Sequence, residues 1–329
     1  MKRFGLVVVV LTLLLYAGQA LADYQLVRSI GPTVTGYGQL SFPWRLALDS
    51  TGNIWVSETG QNRVLELDSS GNFVTQIGDN RGSGNGQFDW PNGIAFDPSG
   101  NIWVADTHNY RIQEFSSSGT YLSQVGHYGT FAYPECITFD SSGNLYVADW
   151  GTSSVKKFNA SGTLLQTFGG WGTGNGQFEN VMGVAVDKSG DVWVGDVGNN
   201  RIQEFNSQGQ YLFQFGSSGS NNGQFAGPAG IALDSLGNIW VADYGNARIQ
   251  EFDSKGQYLT QFGSYGSGND QFIYPSDVAV DSAGTVYVVD GYANNRIQVF
   301  SPVPEPSTLV LLGIGAITLL AYARRRWAA

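Results

Sequence analysis

One six-residue phrase occurs six times in this sequence, and its spacing limits the possible folds more than any other feature. The clearest copy is Asn101-Ile102-Trp103-Val104-Ala105-Asp106. Every copy closes on an acid, and successive acids are separated by 48, 43, 47, 47 and 47 residues: Glu58, Asp106, Asp149, Asp196, Asp243 and Asp290. Strand-like repeats with a period of about 40 to 50 residues are typical of propeller blades. We therefore predict an all-β fold, a six-bladed β-propeller of four-stranded antiparallel blades.

The ends of the repeat array predict how the ring closes. The sixth repeat ends at Phe300 and has no fourth strand before Pro302. Residues 26–31 share the pattern of the fourth strands at residues 122–126 and 259–263. We predict that this N-terminal strand completes the last blade, because an open sheet edge would leave backbone groups unpaired.

Both chain ends have the composition of targeting segments. Lys2 and Arg3 precede an apolar run over residues 4–16, and small residues follow at a cleavage position, which predicts a signal peptide over residues 1–22. At the other end, an apolar stretch over residues 309–323 precedes three arginines. That stretch is shorter than the roughly 20 residues of an ordinary membrane span. The predicted organisation is a signal peptide (1–22), a propeller (23–300) and a tail with a short transmembrane segment and an arginine cluster (301–329).

The tail, with Pro304-Glu305-Pro306, the apolar stretch and Arg324-Arg325-Arg326, closely resembles the PEP-CTERM sorting signal. A membrane protease of the exosortase type recognises and removes that signal in Gram-negative bacteria. The resemblance implies an exported protein of the cell envelope or the extracellular space, anchored to the membrane through its tail until cleavage. A plain C-terminal membrane anchor is the alternative, and both place the repeats outside the cytoplasm.

The charge of the body excludes one class of partner. Five of the 17 basic residues and one of the 27 acids lie in the end segments, so the body carries 12 basic and 26 acidic residues and a net charge of −14. Such a surface repels phosphate backbones, and we expect no nucleic-acid partner. The single cysteine, Cys136, excludes an internal disulfide, and its strand-like surroundings indicate a small buried apolar residue. We expect a monomer.

Charged residues recur at fixed places in the repeats. In five of them an arginine follows the closing acid after five or six residues, giving Glu58 and Arg63, Asp106 and Arg111, Asp196 and Arg201, Asp243 and Arg248, and Asp290 and Arg296. A hairpin brings these positions together, so we predict structural ion pairs. The third repeat has Ser154 instead. A second set of aspartates, exemplified by Asp97 before Gly100, is better explained by turn capping than by calcium binding.

The segments around Pro91-Asn92-Gly93-Ile94-Ala95, the phrase itself and Asn109-Tyr110-Arg111-Ile112-Gln113 resemble the NHL repeat family over about residues 38–300. The resemblance implies a six-bladed propeller, in agreement with the repeat count. NHL-like propellers include a zinc-dependent lyase, and related six-bladed propellers include lactonases and a lyase that opens a cyclic antibiotic. The zinc enzyme draws several histidines into its channel, whereas this chain has two in all.

A shortened loop is the first candidate site. The third repeat is short because the loop at residues 127–131 lacks part of the glycine segment of its counterparts, which predicts a notch between the second and third blades. The residues that topology places around the notch are His108, His127, Tyr133, Glu135 and Trp150. Two histidines and a glutamate could bind a metal or act as acid and base. Two exposed loop histidines are the simpler interpretation.

The mouth of the central channel is the second candidate site. Glycine begins most innermost strands, as at Gly93, Gly183 and Gly230, but three repeats depart from it with Arg45, Cys136 and Asp277. The candidate ligand-binding residues there are Trp44, Arg45, Asn92, Glu135, Met182, Ser276 and Asp277. Different polar groups that converge on one opening are typical of a ligand site, although drift at solvent-facing positions would produce a similar pattern.

Two function classes remain open. The first is an exported, non-enzymatic binding or scaffold propeller that engages a protein, peptide or polysaccharide through its loop face, where tryptophans and tyrosines are frequent. It needs no cofactor. The second is a metal-dependent lyase or lactonase with a site at the channel mouth, and only this alternative would use calcium or zinc, with Glu135, Asp277 and Asn92 as candidate calcium ligands. Measuring the bound metal would separate the two.

Overall fold

The structure is a computed structural model that describes residues 23–31, 33–34 and 38–303. The predicted signal peptide and the tail from residue 304 lie outside the described residues. Among the described residues, none belongs to a helix long and apolar enough to cross a membrane. Residues 26–301 form one compact unit. Outside it, the backbone N–H of Val303 donates to the carbonyl of Asp23 at 2.7 Å.

Six antiparallel four-stranded sheets form the blades of a propeller, as the repeat predicts. From the innermost strand outwards they comprise Pro43–Leu48, Ile54–Glu58, Arg63–Leu67 and Phe73–Ile77 (blade 1); Pro91–Phe96, Ile102–Asp106, Arg111–Phe115 and Tyr121–Val125 (blade 2); Pro134–Phe139, Leu145–Asp149, Ser154–Phe158 and Leu164–Gly169 (blade 3); Val181–Val186, Val192–Asp196, Arg201–Phe205 and Tyr211–Phe215 (blade 4); Pro228–Leu233, Ile239–Asp243, Arg248–Phe252 and Tyr258–Phe262 (blade 5); and Asp277–Val280, Val286–Asp290, Arg296–Pro302 and Tyr24–Ile30 (blade 6). The innermost strands contact one another in a closed ring around a central channel.

Short elements complete the loops. Four 3-10 turns follow the second strands of blades 1, 2, 3 and 5, at Thr59–Gln61, Thr107–Asn109, Trp150–Thr152 and Tyr244–Asn246. Two-residue pairings lie in loops between blades, Thr33–Val34 with Gly38–Gln39 and Ser264–Tyr265 with Gln271–Phe272. We call the end of the propeller that carries the second-to-third-strand loops and the inter-blade loops the loop face.

The ring closes through the N-terminal strand, which confirms the predicted closure. Tyr24–Ile30 pairs with Arg296–Pro302 and is the outermost strand of blade 6. Ile30 is 5% exposed and packs in a core cluster shared by blades 1 and 6, which includes Leu46 and Ile297. The first residues of the propeller therefore hold together the two ends of the ring.

The second strand of every blade is buried along its whole length, because neighbouring blades cover both of its faces. The turn before it is capped as predicted. In blade 2, one oxygen of Asp97 accepts hydrogen bonds from the backbone N–H groups of Ser99 and Asn101 at 2.8 and 2.9 Å. The other accepts from the Trp103 indole at 3.1 Å. The aspartate thus ties the turn to the core.

The five predicted acid–arginine pairs are ion pairs whose acids are fully buried. Their N–O distances are 2.7 Å for Glu58 and Arg63, 2.8 Å for Asp106 and Arg111, 2.7 Å for Asp196 and Arg201, 2.8 Å for Asp243 and Arg248, and 3.0 Å for Asp290 and Arg296. In blade 4, Arg201 also donates to the carbonyls of Gly174 and Gln177 at 2.7 and 3.0 Å. The pair therefore fastens the incoming inter-blade loop, and losing one partner of such a buried pair costs about 3–5 kcal/mol.

In blade 3 a lysine takes the place of the arginine in the buried ion pair. Lys156, two positions after Ser154, directs its ammonium group to Asp149 and also donates to Thr152 Oγ1 at 2.8 Å. Its Nζ lies 5.8 Å from the centre of the Phe131 ring. The shortened loop before Phe131 lacks the glycine segment whose carbonyls bind arginine in blade 4. The shorter loop and the missing arginine therefore belong together, because an arginine at position 154 would lack the loop carbonyls that bind it in blade 4. Packing explains this change without a ligand.

Candidate functional site

A register shift near the start of the innermost strands affects several of the channel-mouth residues. The pairing of the first two strands shifts register in blades 1 to 5, between Pro43 and Leu46 in blade 1 and between Pro134 and Cys136 in blade 3. Such bulges free a residue from the ladder and re-aim its side chain. The candidate pairs Trp44–Arg45 and Glu135–Cys136 lie at these positions, so the bulges direct their side chains differently from those of a regular strand.

Arg45 crosses the channel and ties three blades together. Its guanidinium donates to Asp277 Oδ1 at 3.0 Å and to the Ser276 carbonyl at 3.2 Å in blade 6, and to the Met182 carbonyl at 2.7 Å in blade 4. The residue is 2% exposed. The second oxygen of Asp277 accepts from the backbone N–H of Leu46 at 2.9 Å. This cluster closes the channel just inside its mouth.

Gly230 shows how closely the cluster is packed. A Cβ atom at Gly230 would lie 2.3 Å from Asp277 Oδ1 and 3.1 Å from Arg45 Nη1. The glycine of blade 5 is therefore required by the two charged side chains that replace glycine in blades 1 and 6. Beyond the cluster, a cavity of about 350 Å³ lined by the innermost strands extends along the channel.

Glu135 lies at the mouth on the loop-face side, and its carboxyl has a raised pKa. Its Oε2 accepts from Asn92 Nδ2 at 2.8 Å, and Asn92 Oδ1 in turn accepts from Thr59 Oγ1 at 3.2 Å. Burial raises the pKa of Glu135 to about 7, and Arg45, Asn92 and the nearby Trp44 indole each oppose that rise. The buried Trp44 Nε1–H makes no hydrogen bond of normal geometry, but it lies close enough to the Glu135 carboxyl to lower that group's pKa as a weak donor. The mouth therefore holds an indole donor and a carboxyl acceptor side by side.

The other mouth residues have structural contacts. Ser276 is fully buried, and its hydroxyl donates to the Trp44 carbonyl at 2.8 Å. Met182 provides the carbonyl that accepts from Arg45 and is partly exposed. Cys136 is only partly buried, because it faces the channel, and its Sγ lies 3.9 Å from the carbonyl of Val184. Burial raises the pKa of the Cys136 thiol.

The two histidines have separate surroundings. His108 stacks on Trp90 with ring centres 5.2 Å apart, and its Nδ1 lies 3.6 Å from Asp89 Oδ1. His127 Nδ1 lies 2.7 Å from the carbonyl of Tyr128 on an exposed loop. Within the described ranges, one set of three acid, histidine or cysteine ligand atoms lies within 4.8 Å, namely Asp187, Asp191 and Glu204 in blade 4. His108, His127 and Glu135 do not form such a set.

Aromatic rings form a continuous arc around the mouth. We define the aromatic arc as Phe42, Trp44, Trp90, His108, Tyr133, Trp150, Tyr244, Tyr274 and Tyr292. Successive ring centres from Trp150 through blades 2, 1 and 6 to Tyr244 are 4.8–6.0 Å apart. Trp44 contacts both Phe42 and Tyr244. Several of these rings are exposed: Trp90 by 42%, Trp150 by 39%, Tyr274 by 36% and Tyr292 by 53%. Exposed apolar patches of this kind are typical of interaction sites.

Three members of the arc have strained backbones. Phe42, Trp90 and Tyr274, each directly before the proline at the start of a blade, have φ of 52°, 60° and 60°. Blades 4 and 5 have Asn180 and Gly227 at this place, the residue types that this left-handed conformation favours. Bulky aromatic residues there cost about 1–3 kcal/mol each, a strain that is concentrated at ligand-binding sites.

The structure brings together seven of the predicted site residues around the mouth, and it places Tyr133, Trp150 and His108 in the arc. Sequence reasoning missed five arc members: Phe42, Trp90, Tyr244, Tyr274 and Tyr292. A signal for three of them was present, because Phe42, Trp90 and Tyr274 share an aromatic–proline pair with Tyr133 at the start of a blade. His127 lies outside the arc.

The fold defines a six-bladed β-propeller with a central channel that opens on the loop face. Five segments match the NHL repeat model, residues 88–115, 131–158, 181–205, 225–252 and 272–300, and residues 302–326 match the PEP-CTERM protein-sorting motif. The chain is an NHL-repeat propeller that carries a PEP-CTERM motif, as its sequence resemblance implies. The motif supports export of the protein and a C-terminal membrane anchor. No curated protein matches the chain.

Solved structures of similar fold include enzymes. The chain is 15% identical to a virginiamycin B lyase from Staphylococcus aureus, with a TM-score of 0.61 over 85% of this chain and 100% of that one. It is 18% identical to a gluconolactonase from Xanthomonas campestris, with a TM-score of 0.62 over 86% and 96% of the two chains. A streptogramin B lyase is 20% identical, with a TM-score of 0.58 over 78% of each chain. At these identities the likeness concerns the fold alone.

Proposed function

We propose that the protein is an exported, non-enzymatic binding propeller that engages its ligand through the aromatic arc. The observation that carries this proposal is the set of strained aromatic residues at the start of three blades, Phe42, Trp90 and Tyr274, the last two of them exposed. A chain with no use for those rings would be more stable with glycine or asparagine at these positions. The proposed location is the cell envelope or extracellular matrix of a Gram-negative bacterium, with the tail recognised by an exosortase-type protease.

Binding of the labelled full-length protein to the surface of the cells that export it tests this function. Trp90→Asn combined with Trp150→Ala should weaken binding about tenfold or more, because exposed aromatic anchors dominate binding energies. Trp171→Ala combined with Tyr265→Ala is the matched control, since these residues are 66% and 70% exposed and lie outside the arc. Equal binding of the arc variant and the wild type would contradict the proposal.

A metal-dependent lyase or lactonase is the second candidate, and Glu135 favours it. A carboxyl group with a pKa of about 7 is suited to proton transfer near neutral pH. The candidate calcium ligands fit a cation poorly, however. Asp277 already binds Arg45, and that guanidinium also lies close enough to Glu135 to lower its pKa. A divalent cation at the mouth would be repelled by the arginine.

We therefore expect the purified protein to retain less than one zinc or calcium ion per chain after dialysis. Elemental analysis of the dialysed full-length protein measures this directly. An Arg45→Met variant is an informative comparison, because it removes the positive charge and leaves Asp277, Glu135 and Asn92 in place. Stoichiometric metal that resists dialysis in the wild type, and is lost in Glu135→Gln, would favour the enzyme.

A further inference from the structure

We propose that the ligand of the aromatic arc is an uncharged, hydroxyl-rich polysaccharide chain. This inference rests on the proposed function, since it names the ligand class of the same face. The exposed rings of the arc lie in blades 2, 3 and 6, namely Trp90, Trp150, Tyr274 and Tyr292, so a ligand can touch several at once. Sugar rings have C–H-rich faces whose hydrogens carry partial positive charge, and these match the negative faces of aromatic rings.

The polar groups within the arc distinguish a polysaccharide from a proline-rich peptide. Both ligand classes pack on aromatic surfaces. A proline-rich backbone offers mainly carbonyl acceptors, because proline has no N–H. The mouth presents the Glu135 carboxyl beside the Trp44 Nε1–H, a donor that makes no hydrogen bond of normal geometry. Hydroxyl groups donate and accept, so a sugar satisfies both groups at once.

The charge of the site excludes an anionic polymer. The body carries a net charge of −14, and Glu135 lies inside the arc. The cationic groups near the arc are already engaged: Arg45 binds Asp277 inside the channel, and Arg81, 71% exposed, lies 2.9 Å from Asp89. A uronate or sulfated chain would therefore lose its counterions without gaining a pairing partner.

The arc is open on one side, which suits a polymer rather than a small ligand. Blade 4 contributes Asn180, Val197 and Gly198 at the positions where other blades place aromatic rings. A Cβ atom at Gly198 would lie 2.5 Å from Glu179 Cγ, so the loop is close-packed there without a bulky side chain. A long chain can enter and leave over this edge while its middle units lie on the rings.

Retention of the full-length protein on defined polymers tests the ligand class. The uncharged probes are cellulose, chitin, xylan and a soluble β-glucan; alginate is the anionic probe, chitosan the cationic one, and polyproline the peptide. We expect retention on at least one uncharged polymer, weakened about tenfold by Trp90→Asn and unchanged by Trp171→Ala. Circular dichroism and thermal melts should show that both variants fold, since asparagine suits the backbone at position 90.

The outcomes separate the ligand class from the binding function. No retention on any uncharged polymer overturns the ligand class. Stronger, Trp90-dependent retention on alginate, chitosan or polyproline also overturns it, but leaves the binding function of the arc intact. Retention on an uncharged polymer that neither Trp90→Asn nor Trp150→Ala weakens would overturn both, because the ligand would then bind elsewhere.

Discussion

A chain that lacks residues 23–31 should fail to form a stable monomer. Without this strand, Arg296–Pro302 becomes an open edge with a row of unpaired backbone groups, and such edges promote aggregation. The deletion also removes Ile30 from the core cluster between blades 1 and 6. Thermal unfolding and size-exclusion chromatography of the purified full-length and deleted chains measure the effect, and we expect loss of the cooperative transition or of the monomer peak.

Point substitutions in the same strand test ring closure without deleting the residues that follow the predicted signal peptide. Ile30 is 5% exposed, and Ile30→Ala should cost about 2–5 kcal/mol of unfolding free energy. Val27, in the same strand, is 55% exposed, and Val27→Ala should cost less than about 0.5 kcal/mol. If the deletion or Ile30→Ala left thermal stability unchanged, the strand would not be what holds the ring closed.

The sequence predicted the fold because the information was local and repeated. A turn-capping aspartate, a buried second strand and an acid–arginine hairpin pair recur with one period, and each constrains only near neighbours. Ring closure could also be inferred, because the last repeat lacks a fourth strand and the N-terminal segment has the pattern of one. The family match and the blade topology agree with this reasoning.

The relations within the site were harder to predict because they join residues far apart in the chain. Arg45 and Asp277 could be recognised as departures from glycine, but their pairing spans 232 residues. Whether an arginine points out of a channel or across it depends on the bulge that carries it and on the space left by Gly230. Both are properties of the closed ring and not of one repeat.

The aromatic arc illustrates a second limit. The sequence showed that aromatic residues are frequent on loops, but ring contacts between blades depend on backbone conformation. Trp90 reaches His108 and Phe42 because its own backbone is left-handed, a conformation that its residue type does not favour. Local propensity fails at this position, which agrees with the binding role proposed for the arc.

Breaking the Arg45–Asp277 pair should destabilise the propeller more than any exposed charge change. Arg45→Met keeps much of the side-chain volume but leaves a buried carboxylate without its counterion, while Asp277→Ala leaves a buried guanidinium unpaired. We expect each to cost about 3–5 kcal/mol. The double variant should cost clearly less than the sum, because neither charge remains. Denaturant unfolding of the four proteins gives the coupling energy.

The exposed pair Arg81–Asp89 provides the matched control. Its N–O distance of 2.9 Å is close to the 3.0 Å of the buried pair, but Arg81 is 71% exposed. The same double-mutant cycle there should give a coupling of about 1 kcal/mol or less, because water screens exposed charges. Equal coupling in the two cycles would show that burial of Arg45 adds nothing to the pair.

The cost of Arg45→Met should also depend on pH, mainly through Asp277, the carboxyl that Arg45 binds directly. Burial raises the pKa of Asp277, and Arg45 is the strongest influence that lowers it, so removing Arg45 raises the folded-state pKa further. A carboxyl whose pKa is higher in the folded than in the unfolded chain contributes stability below the unfolded pKa of about 4, and loses it as pH rises towards the folded value. The deficit of Arg45→Met relative to the wild type should therefore grow as the pH rises from about 4 towards neutrality, and it should grow less in the double variant, where Glu135 is the remaining carboxyl that loses the influence of Arg45. A deficit that stayed constant over this range would show that Arg45 stabilises the channel by packing and by its bonds to the carbonyls of Ser276 and Met182, and not by its charge.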